Sequence, residues 1–222
     1  MARRGWCAVS VLAVLACTPL AAAAGPLADA AERGDAAVVR SLLKARASPD
    51  EPGHDGTPAL HWAVQRQDRA MVTALLAAGA KPDSTNRYGL RPLHLALANV
   101  DPDLTQRLLK AGADPGSRDA SGESCLVMAI KSGDPALVRM LLAAGAPADA
   151  ADQVFGQTPL MVAARLGAAP VVRLLLASRV DVNAQTRRGA VPAFRLPSSN
   201  AGSKGAGIVR GGWPERGERD PI

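Results

Sequence analysis

Gly89-Leu90-Arg91-Pro92-Leu93-His94-Leu95-Ala96, with Leu108-Leu109-Lys110-Ala111-Gly112-Ala113-Asp114 a short way behind it, decides the fold. The first block is echoed upstream as Leu60-His61-Trp62-Ala63. It returns downstream as Leu126-Val127-Met128-Ala129 and Leu160-Met161-Val162-Ala163. The leading leucines at 60, 93, 126 and 160 stand 33, 33 and 34 residues apart. The second block keeps step as Leu75-Leu76, Leu108-Leu109, Leu141-Leu142 and Leu175-Leu176. A fixed period in the low thirties with two apolar blocks per unit predicts stacked helical hairpins. One hairpin cannot bury its apolar face alone, so neighbours must stack.

Each segment of one unit has a physical reading. Asn86-Arg87-Tyr88-Gly89 has turn chemistry, with Gly89 free to take a positive φ at the tip. Arg91-Pro92 opens a helix, because proline near the first helical position loses an N–H that would be unpaired there anyway. Leu93, Ala96 and Leu97 make one apolar stripe. Pro102 starts a second helix whose stripe is Leu104, Leu108 and Leu109, and Gly112 is its expected left-handed end. The alanines let two helices approach closely.

Gly56-Thr57-Pro58-Ala59-Leu60-His61-Trp62-Ala63 and Gly156-Gln157-Thr158-Pro159-Leu160 resemble the G-x-T-P-L-H-x-A signature of ankyrin repeats. Leu75 to Ala80 and Leu108 to Asp114 resemble the matching L-L-x-x-G-A-D-x-N ending, as does Asp181-Val182-Asn183. The resemblance runs from about Leu27 to Asn183. It implies an all-α ankyrin-repeat solenoid of about five helix-turn-helix repeats with β-turn or hairpin tips, followed by an irregular tail. The expected units are 25–50, 51–83, 84–116, 117–150 and 151–183.

Departures from the pattern carry expectations of their own. The first unit has no turn before Pro26-Leu27 and suits a capping repeat. Ser124-Cys125 stands where Thr-Pro is usual and should weaken that helix start. Arg46 and Arg179 replace the terminal glycine of units one and five. A Cβ disfavours the left-handed backbone there, so those loops should be looser.

The ends read differently. Arg3-Arg4, the uncharged run Trp6 to Leu20 and Ala22-Ala23-Ala24 compose a signal peptide over 1–24, which predicts a periplasmic or secreted protein without membrane insertion after cleavage. Val14-Leu15-Ala16-Cys17 offers the alternative of a lipoprotein anchored through Cys17. Residues 184–222 read as an incomplete sixth repeat and a Gly/Pro-rich loop or disordered tail. That segment is either a native tail or an insertion before further repeats. In the second case the chain is a targeting module of a longer protein that carries an enzyme or more repeats downstream. Trp213 is either an anchor that docks the loop or a tryptophan without fixed contact.

Charge and chemistry narrow the function. The chain carries +6 overall. Arg3, Arg4 and the segment from 184 onward hold all of that excess, so the repeat body is neutral and poor bait for nucleic acid. No nucleophile, phosphate loop or zinc spacing stands out, and the sequence predicts no enzyme, no cofactor and no metal. Cys125 reads as a packed apolar residue. The resemblance implies that His61 and His94 hydrogen-bond to backbone between repeats. It also implies that a protein partner meets the turn tips and the exposed side of the first helices. The expected partner-binding residues are Tyr88, Arg87, Leu90, Phe155, Val154, Gln65, Arg66, Asn99, Lys131 and Arg165, on a monomeric scaffold. Phe155 is the extra residue that lengthens the fifth unit.

Overall fold

The computed structural model describes residues 25–186 except Val154. The expectations for the signal segment, Cys17, Val154 and the tail from 187 onward lie outside those residues. Among the described residues ten helices follow one another: Pro26–Arg33 (α1), Ala36–Lys44 (α2), Ala59–Gln65 (α3), Arg69–Ala77 (α4), Pro92–Ala98 (α5), Pro102–Lys110 (α6), Cys125–Ser132 (α7), Pro135–Ala143 (α8), Pro159–Arg165 (α9) and Ala169–Ala177 (α10). Among the described residues there is no strand, and the tips carry only single bridges, Pro52 to Pro58 and Arg118 to Ser124. No described helix is long and apolar enough to cross a membrane.

Odd-numbered helices stack in one layer, α1 on α3 on α5 on α7 on α9. In the other layer α2 meets α4, and α6, α8 and α10 follow in turn. Small side chains set that spacing. Ala30, Ala63, Ala96, Ala129 and Ala163 occupy one register position in the five units, and all are fully buried. Leu75, Leu108, Leu141 and Leu175 form the matching buried column of the second layer. Their neighbours diverge: Leu76, Leu109 and Leu142 are half-buried and Leu176 is exposed. Leu104 and Leu108 sit four apart on one face, whereas Leu109 lies one residue, about 100°, further round. The stripe read as three equal leucines is therefore two core leucines and a flanking one.

Three of the second helices, α4, α6 and α8, start on a capping aspartate. Asp68, Asp101 and Asp134 accept N–H bonds from Met71, Leu104 and Ala136 at 2.9, 3.0 and 2.8 Å. Ser124 corrects the expected weak helix start. Its hydroxyl accepts the Val127 N–H at 3.3 Å, the role Thr158 plays toward Met161 at 3.3 Å. Cys125 keeps the N–H that proline would lack, and donates it to the Ser117 carbonyl at 3.1 Å. Arg46 and Arg179, at φ 61 and 59, adopt the left-handed backbone of the glycines at 79, 112 and 145. Those loops keep the common geometry and carry its steric cost.

Candidate partner-binding face

Four tips project from the stack, and each closes on a backbone bond. Gly53 N donates to Thr57 O, Asn86 N to Leu90 O, Asp119 N to Glu123 O and Asp152 N to Gln157 O. The fifth-unit loop is one residue longer, which is where Phe155 enters. Side chains brace these loops from inside. Asn86 Oδ1 accepts the N–H groups of Tyr88 and Leu90, both at 3.0 Å. Asp119 does the same for Ser121 and Glu123 at 2.9 Å. Asp152 accepts from Phe155 at 2.6 Å and from Gln157 at 2.9 Å. Residues at the apex are thereby held on ordered backbone.

The second unit solves the same problem differently. Its brace position is Gly53, which has no side chain. Asp29, from α1 of the preceding unit, occupies that space, and Asp55 Oδ1 accepts the Thr57 N–H at 2.9 Å. A Cβ on Gly53 would lie 2.8 Å from Asp29 Oδ1. That oxygen accepts the His54 N–H at 3.3 Å and meets His54 Nδ1 at 3.1 Å. Glu32 stands 3.8 Å from the same ring nitrogen. The hydrogen bond to Asp29, with Glu32 beside it, raises the His54 pKa above its ordinary 6.5. Asp29, Glu32 and His54 bring donor atoms within 4.8 Å of one another. They are the described residues that could hold a metal ion, but Asp29 Oδ1 is already committed to bracing the tip.

The two core histidines tie tips to helices. His61 Nε2–H donates to the Leu90 carbonyl at 2.9 Å, one unit further along. His94 Nδ1 accepts the Arg91 N–H at 3.1 Å, so its Nε2–H faces Ser117 Oγ at 3.3 Å. Pro58 occupies the Arg91 position before His61 and has no N–H. His61 Nδ1 is accordingly buried without a partner. Burial lowers both histidine pKa values, so both rings stay neutral near pH 7. Ser117 Oγ also meets Cys125 Sγ at 3.2 Å. Burial pushes that thiol up to about 11, which removes it as a nucleophile.

The residues expected to meet a partner divide into three kinds. Tyr88 and Phe155 stand out from their tips, 62% and 55% exposed. The Arg87 guanidinium lies 5.7 Å from the Tyr88 ring centre. Leu90, Arg66 and Asn99 hold the stack together. Leu90 is half-buried and its carbonyl serves His61. Arg66 donates to Glu32 O at 3.2 Å, and Asn99 to Val64 O at 3.3 Å, each reaching the unit before. Gln65, Lys131 and Arg165 occupy one register position on exposed ends of first helices. Lys131 pairs with Glu123 at 2.7 Å. Arg165 has no hydrogen bond or ion pair among the described residues.

Units four and five enclose a feature the sequence did not reveal. A groove of about 290 Å³ opens between their tips and first helices, with Val127 and Val162 at its floor and Phe155 and Arg165 on its walls.

The family model for ankyrin repeats (3 copies) matches residues 27–119 and 93–186. No curated protein matches the chain.

Proposed function

The chain belongs to the ankyrin repeat family, and we propose that it is an exported, non-catalytic scaffold that binds a protein partner through its tips and first helices. Ankyrin repeats are protein–protein interaction modules, so a protein partner is the premise; export, the lack of catalysis and the choice of face are this proposal. The observation that carries it is the pairing of exposed aromatic side chains with braced loops. Tyr88 and Phe155 stand in solvent while their own backbone N–H groups are held by Asn86 and Asp152. A pre-organised tip loses little conformational freedom when it binds, so more of the contact energy appears as affinity. Tyrosine and arginine are the side chains that most often dominate such contacts, and Tyr88 stands beside Arg87.

Export rests on the basic Arg3-Arg4 pair, the apolar run behind it and the small residues at 22–24. The test is a photo-crosslinker at position 88 in the natively expressed full chain, with adducts recovered from the cell envelope. One dominant protein adduct supports the reading. Failure to recover the chain from the envelope or the medium overturns export. A chain found there without any adduct above background overturns the choice of face.

A further inference from the structure

We propose that the groove between the fourth and fifth units is a subsite for an apolar side chain flanked by a carboxylate on the partner polypeptide. This rests on the scaffold reading and adds the chemistry of what is bound. The groove's volume, about 290 Å³, suits one large side chain rather than a folded element. Its floor is Val127 and Val162, both nearly buried, and Phe155 stands exposed on the fifth tip beside it. An apolar side chain lowered between them leaves water and meets apolar surface on two sides.

The charges around the groove specify the flanking group. Three cations, Arg118, Lys131 and Arg165, face it against two carboxylates, Glu123 and Asp152. Glu123 is paired with Lys131 at 2.7 Å. Asp152 is engaged with the backbone of its own tip. Arg118 donates to the carbonyls of Gly122 at 2.9 Å and Ala151 at 3.0 Å, which fastens one tip to the next. Its fork is thus used in holding the groove's shape. Arg165 is left, among the described residues, with an uncompensated guanidinium at the rim. A planar fork of N–H donors matches a carboxylate in a two-bond arrangement. Binding therefore calls for an acidic residue, or a chain-terminal carboxylate, next to the apolar one.

The experiment pans a displayed library of random linear peptides against the full chain and measures the selected peptides by fluorescence anisotropy. The expected consensus pairs an aromatic or branched apolar residue with Asp, Glu or a free C-terminus. Arg165→Glu should weaken such peptides at least ~10-fold with unchanged circular dichroism, because Arg165 is exposed and bonds to none of the described residues, and Arg165→Lys should restore part of the loss. Val162→Trp should fill the floor and abolish binding, with the melting transition checking that the stack persists. A consensus without an acidic group, acidic-apolar peptides indifferent to Arg165→Glu, or no selected peptide overturns the subsite. Peptides lost in Tyr88→Ala but not in Arg165→Glu overturn it while leaving the scaffold reading intact.

Discussion

The carboxylate of Asp83 accepts the backbone N–H of Asp114, one unit further along, at 3.0 and 3.2 Å. Asp50 does the same for Lys81 at 2.8 Å, and Asp149 for Asp181 at 3.1 Å. The rung is missing at one junction, and both its halves are missing together. Gly116 stands where the aspartate should be, and Pro147, which has no N–H, stands where the donor should be. A Cβ on Gly116 would lie 3.2 Å from Pro147 Cδ. An aspartate facing a proline would leave a carboxylate without its donor against a crowded ring, so the double change avoids both costs.

The first prediction concerns that ladder. Asp83→Ala should lower stability by about 1 kcal/mol, the scale of one partly exposed charge-assisted bond. Gly116→Asp combined with Pro147→Ala should add the missing rung and raise stability by a similar amount. Urea unfolding measures both, and a double variant no more stable than the parent chain would show that the rung contributes nothing there.

Val100 sits at φ 51 in the turn between α5 and α6, at a register position held by Gly34, Gln67, Gly133 and Gly167 in the other units. It is a β-branched residue in a left-handed conformation, and 44% of its surface is exposed. Val100→Gly should stabilise the stack by about 1 kcal/mol, since relief of the steric cost exceeds the added freedom of the unfolded chain. A lower melting temperature in that variant would mean that the Val100 side chain supplies packing worth more than its strain.

Leu108 and Leu109 should separate cleanly. Leu108→Ala empties a fully buried site and should cost ~2–5 kcal/mol. Leu109→Ala, at a half-buried site whose neighbours can close in, should cost about 1 kcal/mol. Equal losses in chemical denaturation would contradict the assigned face of α6.

Stability should fall on acidification through His61 and His94. Burial holds both below their ordinary 6.5, so the unfolded chain takes up protons before the folded one does. Their contribution is whole above about pH 6.5 and is lost as the pH drops from there. His54 has the opposite sign. Its pKa is raised, so its contribution is present below 6.5 and fades as pH rises through the folded value. NMR titration of the three rings should find His54 protonating at higher pH than either core histidine, and any other order would refute the assignment.

Tyr88→Ala together with Phe155→Ala should leave the helical content and melting temperature unchanged, because both side chains are exposed. Partner capture at the envelope should drop. Undiminished capture by the double variant would move the binding site off the tips.

Much of this architecture could be read before any coordinates. The recurring leucines, the alanine column, the start prolines and the turn glycines act within one unit, where spacing along the chain equals position on a helix. The tip braces were legible in part, since Asn86, Asp119 and Asp152 fall in one register column. Gly53 in that column marks a gap but does not say what fills it. Which leucine of each pair faces inward, and whether Ser124 keeps its cap, depended on rotation and side-chain geometry that spacing alone leaves open. Leu90, Arg66 and Asn99, read as partner contacts, also bond to neighbouring units.

The sequence by itself determined the stack: its period, its ten helices within the described residues, and its buried columns. Those follow from local hydrogen bonding and the burial of a periodic apolar stripe. The tertiary structure alone decided that Asp29 braces a tip in the next unit, that Gly116 and Pro147 share one gap, and that Arg165 is left unpaired among the described residues beside a groove. Each of these joins side chains from neighbouring units about thirty residues apart in the chain. Whether their polar atoms meet depends on how closely one hairpin settles on the next, and a hydrogen bond is lost over a displacement of about 1 Å.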